Sequence, residues 1–338
     1  VLACGDGAGP GRPARTFLMG FSPIPPKPEI GLLLAGVDSF RRRADAAILH
    51  QSVPWDALLA GIPPESVVGS NELGLANLFR TYGLRVVVMV DPTDGLARDR
   101  EAPELIAAGR SVTEPEIQAL YRAYVRSVAT LVEPDYLGLV AETNLIRAAA
   151  PDSVYDALVT MANAAAAELG ILGVTSTLSV SVQVEVAWGR LGGVATYAGV
   201  ATDLTDFPFI EALGLSSYPY LGGFAQPEDL PLDYYSRLAT DAGLPVLVVE
   251  GGWPSTSVGG GSSTPAMQAR YIARQLELLD AAGAKGVFQL TYADLHPSIF
   301  PPGSILPLFA TLGLVDTALA PKPALAVWDS AFARPRRP

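Results

Sequence analysis

The sequence predicts a single (β/α)8 barrel. Eight short β-rich runs alternate with helix-like segments. The middles of those runs are continuously apolar, as expected of parallel strands covered on both faces. The chain has 338 residues, 49% hydrophobic and 17% charged, enough for one large core with no compositional sign of a second domain.

The strand candidates are 16–24, 45–53, 84–92, 136–144, 176–188, 210–220, 245–253 and 285–294. Helices fill several of the gaps. In the segment beginning at Thr113, the side chains Ile117, Leu120, Tyr121, Tyr124, Val125, Val128 and Leu131 fall on one 3.6-residue face, with Thr113 and Glu116 as a capping box. In the next, Val154, Leu158, Met161, Ala165 and Leu169 share a face, and Gly170 ends the helix. Pro265 suits a first helical turn whose helix stops at Gly283. The rival architecture is an open doubly wound sheet. It normally carries a glycine-rich fingerprint after the first strand, where this chain reads "GFSPIPPKP". The "GGGSST" stretch at 259–264 lacks the lysine of a phosphate-binding loop and reads as a loop over the cleft.

A net charge of −11, with three lysines among 23 basic residues, argues against nucleic acid as a partner. It leaves neutral polymers open. Two histidines and one cysteine leave little for a zinc site, a disulfide framework or an iron–sulfur cluster. That cysteine stands in "VLACGDGAGPGRPAR". Val1-Leu2-Ala3-Cys4 resembles the lipobox of bacterial lipoproteins, in which the cysteine is lipidated. Residues 1–15 are therefore expected to be a lipobox remnant and flexible tether, and 16–338 the barrel, exported and held at a membrane only by its lipid. No apolar run reaches the ~18 residues of a membrane span.

In such barrels the functional site gathers at the C-terminal ends of the strands. Strand two ends near His50, Gln51 and Trp55, and strand three on Asp91 and Asp94. Strand four ends on Glu142, strand five offers Gln183, Glu185 and Trp188, and strand six ends on Tyr218 and Tyr220. Strand seven runs through "PVLVVEGGWPS" to Glu250 and Trp253, and strand eight ends near Gln289, Tyr292 and Asp294. A carboxylate closing a buried strand is costly unless paired or used. Two glutamates from different sides of the ring, with aromatic faces around them, suit hydrolysis of a glycosidic bond. One attacks the anomeric carbon and the other handles the leaving-group proton. Each residue also has a plainer reading: a strand-end ion pair for the glutamates, packing for the tryptophans and Tyr218, a helix cap for Asp91.

"VVEGGWPS" resembles the nucleophile segment of family 17 β-1,3-glucanases and of related clan A glycoside hydrolases such as the family 53 galactanases. "SSYPY" and the closing stretch 309–328 are similar to segments of the same enzymes. The resemblance implies a retaining mechanism on a β-linked glycan, with Glu250 as nucleophile, Glu142 as acid/base and Tyr218 orienting Glu250. Trp253, Trp188, Trp55, Asn144, Gln183, His50, Asp91 and Tyr292 are the expected sugar-binding residues. The substrate is expected to be an oligo- or polysaccharide, the protein a monomer, and no metal or other cofactor is required. Mutual repulsion is expected to raise the pKa of Glu142 and leave Glu250 ionised. The sequence departs from the clan at Ala141, where relatives carry an asparagine against the sugar 2-OH. A transglycosylase using the same glutamates, or a non-catalytic glycan-binding barrel, are the other readings.

Overall fold

Eight parallel strands close into a barrel in chain order: β1 (Leu18–Phe21), β2 (Ala46–Ser52), β3 (Arg85–Asp91), β4 (Tyr136–Gly138), β5 (Thr177–Gln183), β6 (Ala212–Ser217), β7 (Val246–Gly251) and β8 (Gly286–Gln289). The computed structural model describes residues 13–193 and 195–337. Cys4 and most of the tether fall outside the described residues. Among those described, no helix is long and apolar enough to cross a membrane.

The barrel has two apolar layers. Ala46, Ile48, Val87, Met89, Leu247, Val249 and Phe288 fill the interior, while Ala47, Leu49, Val86, Val88 and Val90 pack outward under the helices. The two-residue period carries the inward face on to His50 and Asp91 at the C-terminal mouth. β5 departs from the continuous apolar pattern. Val180 and Val182 face out, whereas Ser179, Ser181 and Gln183 turn in and make the interior polar beneath the mouth.

β7 breaks the period. Leu215 of β6 pairs with Val248, but the next residue, Ser216, pairs with Glu250. The extra residue, Val249, is a bulge. Val249 stays in the interior layer with Leu247, and the bulge lets Glu250 face the mouth as well. Gly251 makes this possible: its φ is 155°, and a Cβ there would sit 2.4 Å from the Ser217 carbonyl oxygen.

Several local expectations change. The helix after Thr113 starts at Pro115, so the Thr113–Glu116 box does not form. Glu114 instead accepts from the Ser111 N–H at 2.7 Å, and Glu116 pairs with Arg110. That helix gives way at Val128–Val132 to a π-helical turn, which leaves Leu131 exposed. The following helix, Asp152–Ile171, runs through Gly170 and is ended by Gly173, at φ 69°. Strand four is short, so Glu142 lies beyond it, and residues 184–187 form a helical turn rather than strand. The helix Pro265–Ala282 starts at Pro265 and stops at Gly283 as expected. The 259–264 stretch is a tight turn whose Thr264 caps that helix, away from the cleft.

Gly251→Ala should destabilise the protein by roughly 2 kcal/mol or more. Gly36→Ala, within the helix Ile30–Phe40 and with nothing within 4 Å of the added Cβ, should stabilise it by about 0.5–1 kcal/mol. Urea melts check both; shifts of the same sign would contradict the account of the bulge.

Candidate active site

Glu142 lies just past β4 in the left-handed region, at φ 50° and ψ 47°. Such a conformation costs a residue with a side chain on the order of 1 kcal/mol or more and persists only where the surroundings enforce it. They do so here. The Glu142 N–H donates to Ser181 Oγ at 2.9 Å. The next two residues are fixed by Thr143 Oγ1 donating to Asp203 at 2.7 Å and by Asn144 exchanging two bonds with the Gln183 backbone. The turn aims the carboxylate into the mouth, where Oε1 accepts from Ser216 Oγ at 2.6 Å and Oε2 from Arg98 Nε at 2.9 Å.

Glu250 faces it. Its Oε1 accepts from Tyr218 Oη at 2.6 Å and lies 3.5 Å from Ser216 Oγ. Its Oε2 is 3.7 Å from His50 Nε2, outside hydrogen-bond range. Ser216 thus touches both carboxylates. Its two distances laid end to end bound the Oε1–Oε1 separation at about 6 Å. Burial first, and then the Glu250 charge beside it, hold the Tyr218 hydroxyl well above its ordinary pKa, so it remains a donor.

Arg98 was not singled out by the sequence. It lies in the loop 92–102 and turns inward, with Nη1 2.6 Å from Asp91 Oδ2 and 2.9 Å from Thr93 Oγ1. Burial weighs against its charge, but Asp91 and Glu142 outweigh burial and keep it protonated. The only sequence signal was the alternation of acidic and basic residues in "DPTDGLARDR", which does not say which arginine points in. Ser216 was hidden in the same way, as one of two serines before Tyr218.

Burial raises the pKa of Glu142; Arg98 opposes this and the Glu250 charge adds to it. Burial raises Glu250 too, against the Tyr218 hydrogen bond and Arg98. The expectation that mutual repulsion raises Glu142 and leaves Glu250 ionised is therefore amended: desolvation leads, and it acts on both. His50 is pushed down to about 4, chiefly by burial. It is neutral, donates from Nε2 to the Val249 carbonyl at 3.1 Å and leaves Nδ1 without a partner.

The carboxylates sit in a cleft of about 810 Å³ that is also lined by His50, Asp91, Gln183 and Tyr218. Five expected sugar-binding residues do not line it. Trp55 is fully buried and donates to the Pro92 carbonyl at 3.1 Å, tying two loops together. Trp188 stacks on Tyr234 at 5.6 Å and donates to its carbonyl. Trp253 is buried against Tyr271 and donates to Ser263. Asn144 uses its amide on the Gln183 backbone. Tyr292 packs edge-on to Phe21 and bonds Ser39 at 2.6 Å, below the mouth. Asp91 caps no helix; it pairs with Arg98 and accepts from the Thr93 N–H. Among the described residues, no group of three or more His, Cys, Asp or Glu side chains is arranged to hold a metal ion.

Fold and site together define a TIM-barrel protein with two facing glutamates at its C-terminal mouth. No protein-family model and no curated protein sequence matches the chain. Solved structures do. The exo-β-1,4-mannosidase of Opitutaceae bacterium strain TAV5 is similar at 17% identity and TM-score 0.70, over 95% of this chain and 60% of that one. The GH5_18 protein of Bifidobacterium longum subsp. longum is similar at 17% identity and TM-score 0.67, over 95% and 81%. Xylanase 10B of Thermotoga maritima is similar at 15% identity and TM-score 0.60, over 94% and 95%. The chain thus spans about 60% of the mannosidase's length. At these identities the likeness establishes the (β/α)8 fold.

Beneath the floor lies Glu185, fully buried. It accepts from the Tyr218 N–H at 3.1 Å and from Tyr234 Oη and Gln183 Nε2. Burial pushes it up to about 7. Its unfolded value is near 4.5, so the folded state binds the extra proton between these limits, and stability falls as pH rises through that window. Glu185→Gln should therefore raise the melting temperature at pH 8 and change it little at pH 5. Equal shifts at both pH values would contradict a carboxyl whose pKa is raised by burial.

Proposed function

We propose that the protein is a retaining glycoside hydrolase acting on a β-glycoside. The observation that carries this reading is Ser216 bridging Glu142 and Glu250. A bound of about 6 Å between their Oε1 atoms fits the roughly 5–5.5 Å of a double displacement better than the roughly 6.5–9.5 Å that inversion needs for a water. The mannosidase and xylanase names of the similar structures support the same reaction class. The finer likeness to family 17 and family 53 enzymes rests on sequence motifs, of which only "VVEGGWPS" is specific.

In this mechanism Glu250 attacks the anomeric carbon through Oε2, the oxygen Tyr218 does not hold. Tyr218 fixes the other oxygen and so the plane of attack. Glu142, with its pKa raised by burial, gives its proton to the departing oxygen. Once Glu250 becomes an ester its negative charge is gone. The pKa of Glu142 then falls, and it becomes the base that activates water in the second step. A sugar hydroxyl in place of that water would make the enzyme a transglycosylase.

Ala141 favours a second reading, a glycan-binding barrel without turnover. The asparagine expected there is absent, and Asn144 is engaged elsewhere. One variant set separates the two. With an aryl β-glycoside whose phenol leaves without a proton, Glu250→Ala should lose on the order of 10⁴-fold or more in kcat. Glu142→Ala should keep the first step and regain turnover in azide, giving a β-glycosyl azide. Wild-type protein that binds but never cleaves supports the non-catalytic reading. Azide rescue of Glu250→Ala instead, to an azide of opposite configuration, would be ordinary for a lost nucleophile, but the β-product from that variant would reverse the two roles.

A further inference from the structure

The cleft has a polar floor and an aliphatic collar. The floor holds the two glutamates with Asp91, His50 and Tyr218. Above it stand Ile24, Leu96, Leu191, Leu221 and Ile305, one from each of five different loops, with Leu145 beside Glu142. Three of them are well exposed: Ile24 38%, Leu96 43% and Ile305 42%. Together they face the cleft rather than lying scattered over the surface, and such clustering marks a binding surface.

Several polar groups of the cleft are already engaged, although Gln51, Ser52 and Glu104 also line it. The Gln183 amide donates to Glu185 and accepts from the Val186 N–H. Asp99 and Arg100 pair with each other, and Asp94 accepts from the Leu96 N–H. Trp55, Trp188 and Trp253 lie elsewhere, so no indole is offered to a sugar face. On the floor, Glu250 Oε2 accepts no hydrogen bond, since Tyr218 holds Oε1. A pyranose on the floor meets that oxygen. A second pyranose set against the six aliphatic side chains would lose its hydroxyls' hydrogen bonds to water there without replacement.

The direction of departure follows from Glu142. It stands at the β4 side with Leu145 one turn behind it, and the loops after β5 and β6 bring Leu191 and Leu221 to the same cleft. We propose that the aglycone is an apolar alcohol, alkyl or aryl, and that the enzyme cleaves one sugar from such a group rather than from another sugar. This rests on the glycosidase reading and narrows it. Apolar burial strengthens binding by about fourfold per methylene, so an alkyl chain gains where a sugar loses.

The test pairs the octyl β-glycoside, below its micellar concentration, with the β-1,4-linked disaccharide of the same sugar. Glucose, mannose, galactose, xylose and glucuronic acid are each tried with the full chain. For the sugar accepted, kcat/KM should favour the octyl compound at least 30-fold, mainly through KM. Leu191→Gln and Leu221→Gln should each lower that value about tenfold and leave turnover of the glycosyl fluoride unchanged, since fluoride does not reach the collar. Ile171→Gln, an 86% exposed residue at the end of the helix Asp152–Ile171, should change neither. A disaccharide cleaved as well as its octyl partner, or leucine variants that behave like Ile171→Gln, would overturn the proposal. If no glycoside or fluoride is turned over, the glycosidase reading fails. Calorimetry with octyl and methyl 1-thio-β-glycosides then judges the collar alone. Octyl at least 30-fold tighter, and weakened in Leu191→Gln, supports it; equal binding overturns it.

Discussion

The mouth of this barrel depends on Arg98. Asp91, Glu142 and Glu250 bring three carboxylates to a largely buried floor, and buried like charges are costly unless compensated. Arg98 meets two of them directly, at 2.6 Å and 2.9 Å. Hydroxyls meet the rest: Ser216 on Glu142, Tyr218 on Glu250. The arginine is itself held by its loop. Thr93 bridges to Glu101, Glu101 accepts from Ser111, and Trp55 pins Pro92. A fully buried indole that reads in sequence as a sugar platform therefore acts one step back from the site, by fixing the loop that carries the cation.

Two departures from a regular barrel place the glutamates. Glu142 occupies a left-handed conformation enforced by Ser181, Thr143 and Asn144. Glu250 follows a bulge that Gly251 permits. Local strain held by its surroundings is common where a side chain must be aimed rather than merely accommodated. The two devices lie on opposite sides of Ser216, and that serine measures the gap between them.

Much of this was legible in the sequence, for identifiable reasons. The barrel was, because eight apolar runs at regular spacing leave few other packings. Glu142, Glu250, Tyr218, His50, Asp91 and Gln183 were brought to one cleft, because polar residues that end apolar strands in this fold share one mouth. The tryptophans were misplaced because an indole reads alike whether its N–H meets a backbone carbonyl, as in Trp55 and Trp188, or a ligand. Asn144 and Tyr292 were misplaced because proximity in sequence to a strand end does not say which way a side chain turns. Arg98 and Ser216 were missed because a loop arginine and a strand serine carry no periodic signal. The bulge at Val249 could not be seen, since a continuously apolar strand has no phase to break.

The central claim is that Glu250 forms a covalent bond to sugar while Glu142 stands across from it as acid/base. The most direct measurement is mass spectrometry of the protein after incubation with 2-deoxy-2-fluoro-β-glycosyl fluorides of the same five sugars, followed by peptide mapping. The fluorine slows both steps, and the reactive leaving group restores only the first, so the intermediate accumulates. The account predicts one added glycosyl mass, on the peptide that contains Glu250, and none in Glu250→Gln. A label on Glu142, or turnover of the parent glycoside with no label on Glu250, would contradict it.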